Sequence, residues 1–176
     1  FLGQKLNPSV LISKKNDQKL KFDIIFSSPL KRAIQSINLI TKNQKYSIDK
    51  NLLEIDYGKA EGLNFKEFKR KFPKIIDMWK KGKDPSFPKG ESNNDLNLRK
   101  RIFIKKIKKI NFKQSCVITH NVFLRCLIGE SFAIDKKNWF KINIPHMFPL
   151  EFILLNNQLY PNISRSDLKI IFLNFL

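Results

Sequence analysis

The stretch FDIIFSSPLKRAIQS, residues 22–36, decides the fold of this 176-residue chain. Its apolar run at residues 24–26 is rich in β-branched and aromatic side chains, which is typical of a buried parallel strand. Ser28 is a natural N-cap and Pro29 suits the first position of a helix. Because apolar residues then recur at helical spacing over residues 30–41, the stretch predicts a strand that runs directly into a helix.

Arg32 lies in the first turn of that predicted helix, at the carboxyl end of the strand. Free backbone N–H groups, the helix dipole and a planar guanidinium meet there, and all three favour a phosphate. A surface arginine on an ordinary strand–helix unit is the alternative that this stretch leaves open.

The same arrangement recurs further along, where the apolar run of residues 116–119 ends at His120 before a second predicted helix over residues 122–128. Ligands of open α/β sheets bind at the carboxyl ends of the strands, so we expect Arg32 and His120 to face one crevice. The histidine would then be a general base, a phosphate ligand or a covalent nucleophile. A hydrogen-bonded structural histidine is the alternative.

Strands and helices alternate along the chain, which predicts one α/β domain over residues 1–176, built as a three-layer α/β/α sandwich with a mostly parallel sheet. The remaining predicted elements are a loop over residues 1–8, a short helix over 9–20, a brief strand over 46–49, a helix from Asn64 to Pro73, a short helix around 75–79, a long helix over 95–110, and a terminal hairpin that pairs 152–155 with 158–160.

The composition is strongly basic, with a formal net charge of +19 and a pI near 10. Such a charge suits nucleic acid, an anionic membrane or anionic substrates. The lysines, however, are scattered among asparagine, isoleucine and phenylalanine, as A/T-rich codons would produce. No aromatic–basic recognition motif and no bilayer-length apolar run is present, so we expect neither a nucleic-acid partner nor a membrane partner.

The cysteine and histidine content argues against metal and disulfide chemistry. Cys116 and Cys126 form no closely spaced pair, which predicts a reducing, cytoplasmic setting without a disulfide framework. The two histidines, His120 and His146, lack metal-ligand spacing. We therefore expect no metal and no cofactor.

Two carboxylates near a glycine-bearing loop are candidates for acid catalysis. The segment LEIDYGKAEG, residues 53–62, contains Glu54 and Glu61. A carboxylic acid beside a phosphate site can protonate a leaving alcohol if burial and nearby negative charge raise its pKa. Two solvated loop acids are the alternative.

Taken together and in this order, five motifs resemble those of the histidine phosphatase superfamily, the phosphoglycerate mutase-like phosphatases. The similar segments are Gly3 with Asn7-Pro8, SSPLKRA at residues 27–33, LE with the glycines of 53–62, GES at 90–92 followed by Arg99, and Thr119-His120. The resemblance covers roughly residues 1–130.

The resemblance implies a phosphoglycerate mutase-like fold and a role for individual residues. Arg32 would hold the transferred phosphoryl group, His120 would contact and stabilise it, and Glu54 would be the general acid. Gly3 and Asn121 fall where the family contacts phosphate and substrate, although Asn121 stands where glycine is usual. Glu61 would then occupy a structural position of its motif.

The family's Arg-His-Gly motif, whose histidine is the phosphorylated nucleophile, is absent from the sequence. In the family it ends the first strand, upstream of the Gly3 loop, so we expect an N-terminally truncated domain that lacks its first strand and is inactive as it stands. His146, in a proline-bounded segment, is expected to have a structural or rim role.

The leading hypothesis is a phosphomonoester hydrolase that, when complete, works on a small phosphorylated substrate through a phosphohistidine. Mutase-type phosphotransfer and a non-catalytic phosphate-binding module are the alternatives, and a basic nucleic-acid binder ranks last. The sequence does not select the substrate or the oligomeric state.

Overall fold

The computed structural model of the chain describes residues 21–41, 44–156 and 158–175. The predicted Gly3 loop and the predicted helix over residues 9–20 therefore lie outside the described residues.

The central sheet has three parallel strands in the order β2-β1-β3. The strands are β1 (Ile24–Ser27), β2 (Ser47–Ile48) and β3 (Ser115–Ile118). In β1, Phe26 lies opposite Ser47 of β2 and Val117 of β3. The predicted parallel sheet is thus confirmed, and it places the carboxyl ends of β1 and β3 side by side.

Six α-helices accompany the strands in the described ranges, and the predicted antiparallel hairpin lies between the fifth and the sixth of them. The helices are α1 (Lys31–Thr41), α2 (Phe65–Lys71), α3 (Pro73–Lys80), α4 (Asn93–Ile107), α5 (Asn121–Ser131) and α6 (Arg165–Ile171), and the hairpin pairs β4 (Phe152–Leu155) with β5 (Gln158–Pro161). No helix in these ranges has the length and apolar content needed to cross a bilayer.

Side chains alternate across the sheet and produce the three predicted layers. Ile25 and Cys116 point to one face, where they pack with Ala33 of α1. Phe26 points to the other face and meets Phe103 of α4 edge-on, with ring centroids 5.4 Å apart. Helices α4 and α5 cover this second face together, so the sheet lies between two helical layers.

The first helix begins later than the sequence predicts. It starts at Lys31, and the carbonyl of Leu30 accepts the backbone N–H groups of Ala33 (2.9 Å) and Ile34 (3.2 Å). The prediction of Ser28 as the N-cap was therefore wrong by two residues. The Ser28 hydroxyl accepts the N–H of Leu30, ahead of the helix, at 3.3 Å, and it also contacts His120, which precedes α5.

The long helix α4 begins two residues earlier and ends three residues earlier than predicted. Ser92 caps it, because its hydroxyl accepts the Asp95 N–H while the Asp95 carboxylate accepts the Ser92 N–H at 2.8 Å. Its last turn carries Lys105 and Lys106, which suits the negative end of a helix dipole.

Candidate active site

The two predicted strand–helix junctions meet at one point. The Ser28 N–H donates to the Ile118 carbonyl at 2.9 Å, which joins the ends of β1 and β3. Just beyond, His120 Nε2 lies 2.7 Å from Ser28 Oγ, and Arg32 Nε donates to His120 Nδ1 at 3.3 Å. Arg32 and His120 are therefore in direct contact.

The partners of His120 define its protonation. Arginine only donates, so Nδ1 accepts from Arg32, Nε2 carries the proton, and Nε2 donates to Ser28 Oγ. The ring is only 3% exposed. Burial, followed by the charges of Arg32 and Arg99, lowers the pKa of His120 to about 3. The imidazole is therefore neutral near pH 7 in the absence of a ligand.

This lowered pKa predicts an acid-sensitive fold. The unfolded chain gains a proton at His120 below pH about 6.5, whereas the folded chain resists protonation down to pH about 3. The unfolded state therefore binds more protons in that window, and stability falls as the pH falls. The contribution of His120 between pH 7.5 and pH 5 is about 2 kcal/mol.

Urea unfolding at several pH values measures this contribution. His120→Gln should lack the about 2 kcal/mol decrease, while His146→Gln, at an exposed position, should keep it. Glu54 and the other carboxyl groups titrate in all three proteins, so they cancel in the comparison. Parallel stability curves for His120→Gln and the unmodified protein would contradict a buried neutral His120.

Glu54 reaches the same region from the loop that follows β2. The backbone N–H of Val122, in the first turn of α5, donates to Glu54 Oε1 at 3.2 Å and Oε2 at 3.4 Å, and the Ile55 N–H donates to Oε1 at 3.1 Å. Burial raises the pKa of Glu54 above its ordinary value, although these N–H groups and the charges of Arg32 and Arg125 act in the opposite direction. A carboxyl with a raised pKa keeps its proton to higher pH than an ordinary glutamate, which suits general acid catalysis.

The other motif residues surround this loop. Gly58 and Gly90 allow a close backbone approach, because a Cβ on Gly58 would lie 2.4 Å from the Pro88 carbonyl oxygen and one on Gly90 would lie 2.3 Å from that of Asp56. Glu61, the second candidate acid, is exposed.

Asn121 and Arg125 hold a neighbouring segment against α5. The side-chain amide of Asn121 donates to the Ile144 carbonyl at 2.9 Å, and Arg125 Nε donates to the Ile142 carbonyl at 2.8 Å. A substrate contact by Asn121 stays a prediction, as does one by Gly3. Sequence reasoning missed Arg125, although its position four residues after Asn121 places both on one helix face.

The last candidates to place are His146 and a possible metal site. His146 is exposed in the segment that follows Pro145. Within residues 21–41, 44–156 and 158–175, no group of three or more histidine, cysteine, aspartate or glutamate side chains is placed to hold a metal ion.

The family assignment follows from the sequence over this same region. The family model described as "Histidine phosphatase superfamily (branch 1)" matches residues 14–151, which include the Arg32, Glu54 and His120 positions. The chain belongs to the histidine phosphatase superfamily. The predicted family and fold class are thereby confirmed, and the three clustered residues lie within the matched range.

Individual histidine phosphatase relatives are similar at moderate identity. Phosphoserine phosphatase 1 of Hydrogenobacter thermophilus is 29% identical over 122 residues, which cover 66% of this chain and 58% of that protein. A 2,3-bisphosphoglycerate-dependent phosphoglycerate mutase of Allorhizobium ampelinum is 27% identical over 147 residues, covering 78% of this chain and 70% of the mutase. The match thus spans less than two thirds of the length of the first relative.

The fold is shared with solved histidine phosphatase structures. A phosphoserine phosphatase variant from Entamoeba histolytica, in complex with phosphoserine, superposes with a TM-score of 0.68 at 22% identity and covers 82% of this chain and 74% of that chain. At this identity the likeness shows the fold alone.

Proposed function

We propose that the complete protein is a phosphomonoester hydrolase that works through a phosphohistidine. The observation that carries the proposal is the meeting of Arg32, His120 and Glu54 at the carboxyl edge of the sheet. To cleave a phosphate ester, an enzyme can use a guanidinium and an imidazole to stabilise the phosphoryl group and a carboxyl of raised pKa to protonate the leaving alcohol. The phosphoserine phosphatases and phosphoglycerate mutases among the relatives support a small phosphate ester as substrate.

Arg32 binds the phosphoryl oxygens in this proposal. Its Nε donates to His120 Nδ1, while its two Nη groups have no partner among the described residues. These Nη groups form one edge of the guanidinium fork and suit two phosphate oxygens. A bound dianion would also raise the pKa of His120, because a nearby negative charge favours the charged imidazolium.

The nucleophile is assigned to a histidine outside these 176 residues. Of the two histidines in the sequence, His120 is already held by Arg32 and Ser28, and His146 is exposed. We therefore expect the chain alone to be inactive.

The reaction has two steps. In the first, the nucleophilic nitrogen forms a bond to phosphorus, the bond to the ester oxygen breaks, and Glu54 gives its proton to the leaving alkoxide. In the second, water attacks phosphorus, Glu54 takes a proton from that water, and the nitrogen–phosphorus bond breaks to release inorganic phosphate. Glu54 thus returns to its protonated state, and no metal or cofactor enters either step.

Mutase-type transfer is the second candidate, because several relatives are phosphoglycerate mutases. In that case the phosphoryl group would return to a bound hydroxy acid instead of passing to water. The short connection over residues 81–92, between α3 and α4, offers little chain for a lid that excludes water, which favours hydrolysis.

The test compares the complete protein with the 176-residue chain. Each is incubated with O-phosphoserine, 3-phosphoglycerate or p-nitrophenyl phosphate, and inorganic phosphate is measured. We expect release by the complete protein and none by the chain. Saturable binding of inorganic phosphate by the complete protein without any turnover would overturn the proposal and favour a binding module. Exchange between 2- and 3-phosphoglycerate without phosphate release would establish the mutase.

A further inference from the structure

The guanidinium of Arg99, on α4, is engaged along both of its edges. Arg99 Nε donates to Glu91 Oε1 at 2.6 Å, and Nη2 donates to Glu91 Oε2 at 2.7 Å. This bidentate pair is short and its two side chains are about one-fifth exposed. Burial acts to raise the pKa of Glu91, but the hydrogen bonds from Arg99 and from the Asp56 N–H outweigh it and lower that pKa, which favours an ionised pair.

The other N–H groups of Arg99 donate to backbone carbonyls of the loop that carries Glu54. Nη1 donates to Asn51 and Leu53 at 3.1 Å each, and Nη2 donates to the carbonyl of Glu54 itself at 3.3 Å. One side chain therefore contacts three carbonyls in four consecutive residues, from a position more than forty residues later in the chain.

Glu91 secures the opposite side of the same loop. Its Oε2 accepts the Asp56 N–H at 3.0 Å, and its backbone N–H donates to the Asp56 carbonyl at 2.8 Å. Residues 53–57 have no helix or strand of their own. Their backbone polar groups must find other partners, and the Glu91–Arg99 pair supplies them on both sides of Ile55.

The position of the Glu54 carboxyl depends on that loop. The carboxyl is held by the Ile55 N–H, which belongs to the same loop, and by the Val122 N–H, which belongs to α5. A movement of about 1 Å in the loop would break the 3.2 Å bond to Val122 and turn the acid away from the leaving oxygen. Misplacement by this amount can cost about 100-fold in rate.

We propose that the Glu91–Arg99 pair is a positioning device that fixes the general acid Glu54 against the amino end of α5. Arg99 and Glu91 touch neither the phosphoryl group nor the leaving alcohol in this account, so they act through the backbone that carries Glu54. The inference rests on the proposed function, because it requires Glu54 to protonate the leaving group.

The test uses the complete protein and two substrates that differ in their need for an acid. The alkoxide of O-phosphoserine leaves only when protonated, whereas p-nitrophenolate leaves without a proton. Arg99→Lys and Glu91→Gln should lower kcat/KM for O-phosphoserine about 10- to 100-fold and change kcat/KM for p-nitrophenyl phosphate less than about threefold. The ratio kcat/KM is compared because it reports the first step alone, whereas kcat also contains the attack of water, in which Glu54 takes part with either substrate. The basic limb of the pH–rate profile should shift to lower pH, because a displaced Glu54 regains its ordinary pKa.

Arg101→Lys is the matched control, because Arg101 lies on the same helix with an exposed side chain and a 3.6 Å ion pair to Glu130. It should leave both rates unchanged. In a Glu54→Gln background, Arg99→Lys should cause no further loss with O-phosphoserine.

The outcomes separate the two proposals. The positioning role would be overturned if the variants lost kcat/KM equally with both substrates and in proportion to a loss of folded protein measured by circular dichroism. It would also be overturned if Arg99→Lys and Glu54→Gln had additive effects on kcat/KM in the double variant. Absence of turnover in the unmodified complete protein would instead refute the proposed function.

Discussion

Replacement of Glu54 by glutamine should lower kcat/KM of the complete protein for O-phosphoserine, which reports the first step alone, about 100- to 10,000-fold. Glutamine keeps the shape of the side chain and can still accept the Val122 N–H, but it has no proton to give to the alkoxide. With p-nitrophenyl phosphate the first step should be almost unaffected, because the leaving group needs no proton. Steady-state kinetics with both substrates measures the difference.

Glu61→Gln is the control for Glu54→Gln, since Glu61 belongs to the same segment and is exposed. It should leave both rates within about twofold, as expected for a surface substitution. If Glu54→Gln lowered kcat/KM equally for both substrates, Glu54 would hold the site together instead of supplying the proton to the leaving group. If Glu61→Gln produced the selective loss, the assignment of the general acid would be wrong.

Replacement of Arg32 by alanine should lower kcat/KM about 100- to 1,000-fold for both substrates alike. Both substrates present the same phosphoryl group, so the loss should not depend on the leaving group. Arg32→Lys should recover only part of the activity, because lysine keeps the charge without the planar fork. The same kinetic assay measures these ratios.

The control for Arg32 is its neighbour Lys31, which is exposed at the start of α1. Lys31→Ala removes a positive charge at the same end of the same helix and should change kcat/KM little. Intact turnover in Arg32→Ala would exclude Arg32 as the phosphoryl ligand. A comparable loss in Lys31→Ala would indicate that general positive charge, and not the guanidinium, attracts the substrate.

The strand–helix junctions were predictable because their signals are local. An apolar run followed by helical spacing is contained in about fifteen residues around Ser28, and a shorter version precedes His120. Once two such strands are parallel neighbours, their carboxyl ends must meet, so the contact between Arg32 and His120 follows from topology. The family resemblance then indicated Glu54 among the two candidate acids.

The errors and omissions arise where long-range contacts decide the outcome. The hydroxyl of Ser28 contacts His120, 92 residues later, and accepts only the N–H of Leu30, ahead of α1. The contacts between Arg99 and the carbonyls of the Glu54 loop span 45 to 48 residues. No period or spacing in the sequence contains such information, because it depends on how α4 packs against the loop.

Helix α2 illustrates a smaller limit. The spacing of Phe65, Phe68 and Phe72 predicts one apolar side, yet Phe68 is buried and Phe65 is 68% exposed. Phe68 stacks on Trp79 of α3 with ring centroids 5.3 Å apart. A helix of seven residues has room for little more than one buried position, and the partner helix selects which one.

A crystal structure of the complete protein with bound tungstate, an analogue of the phosphoryl group, tests the central claim most directly. We predict tungstate within hydrogen-bond distance of the Arg32 Nη groups and the His120 ring, with the Glu54 carboxyl facing the position of the leaving oxygen. Tungstate bound only elsewhere, for example at Lys105 and Lys106 of α4, would contradict the account.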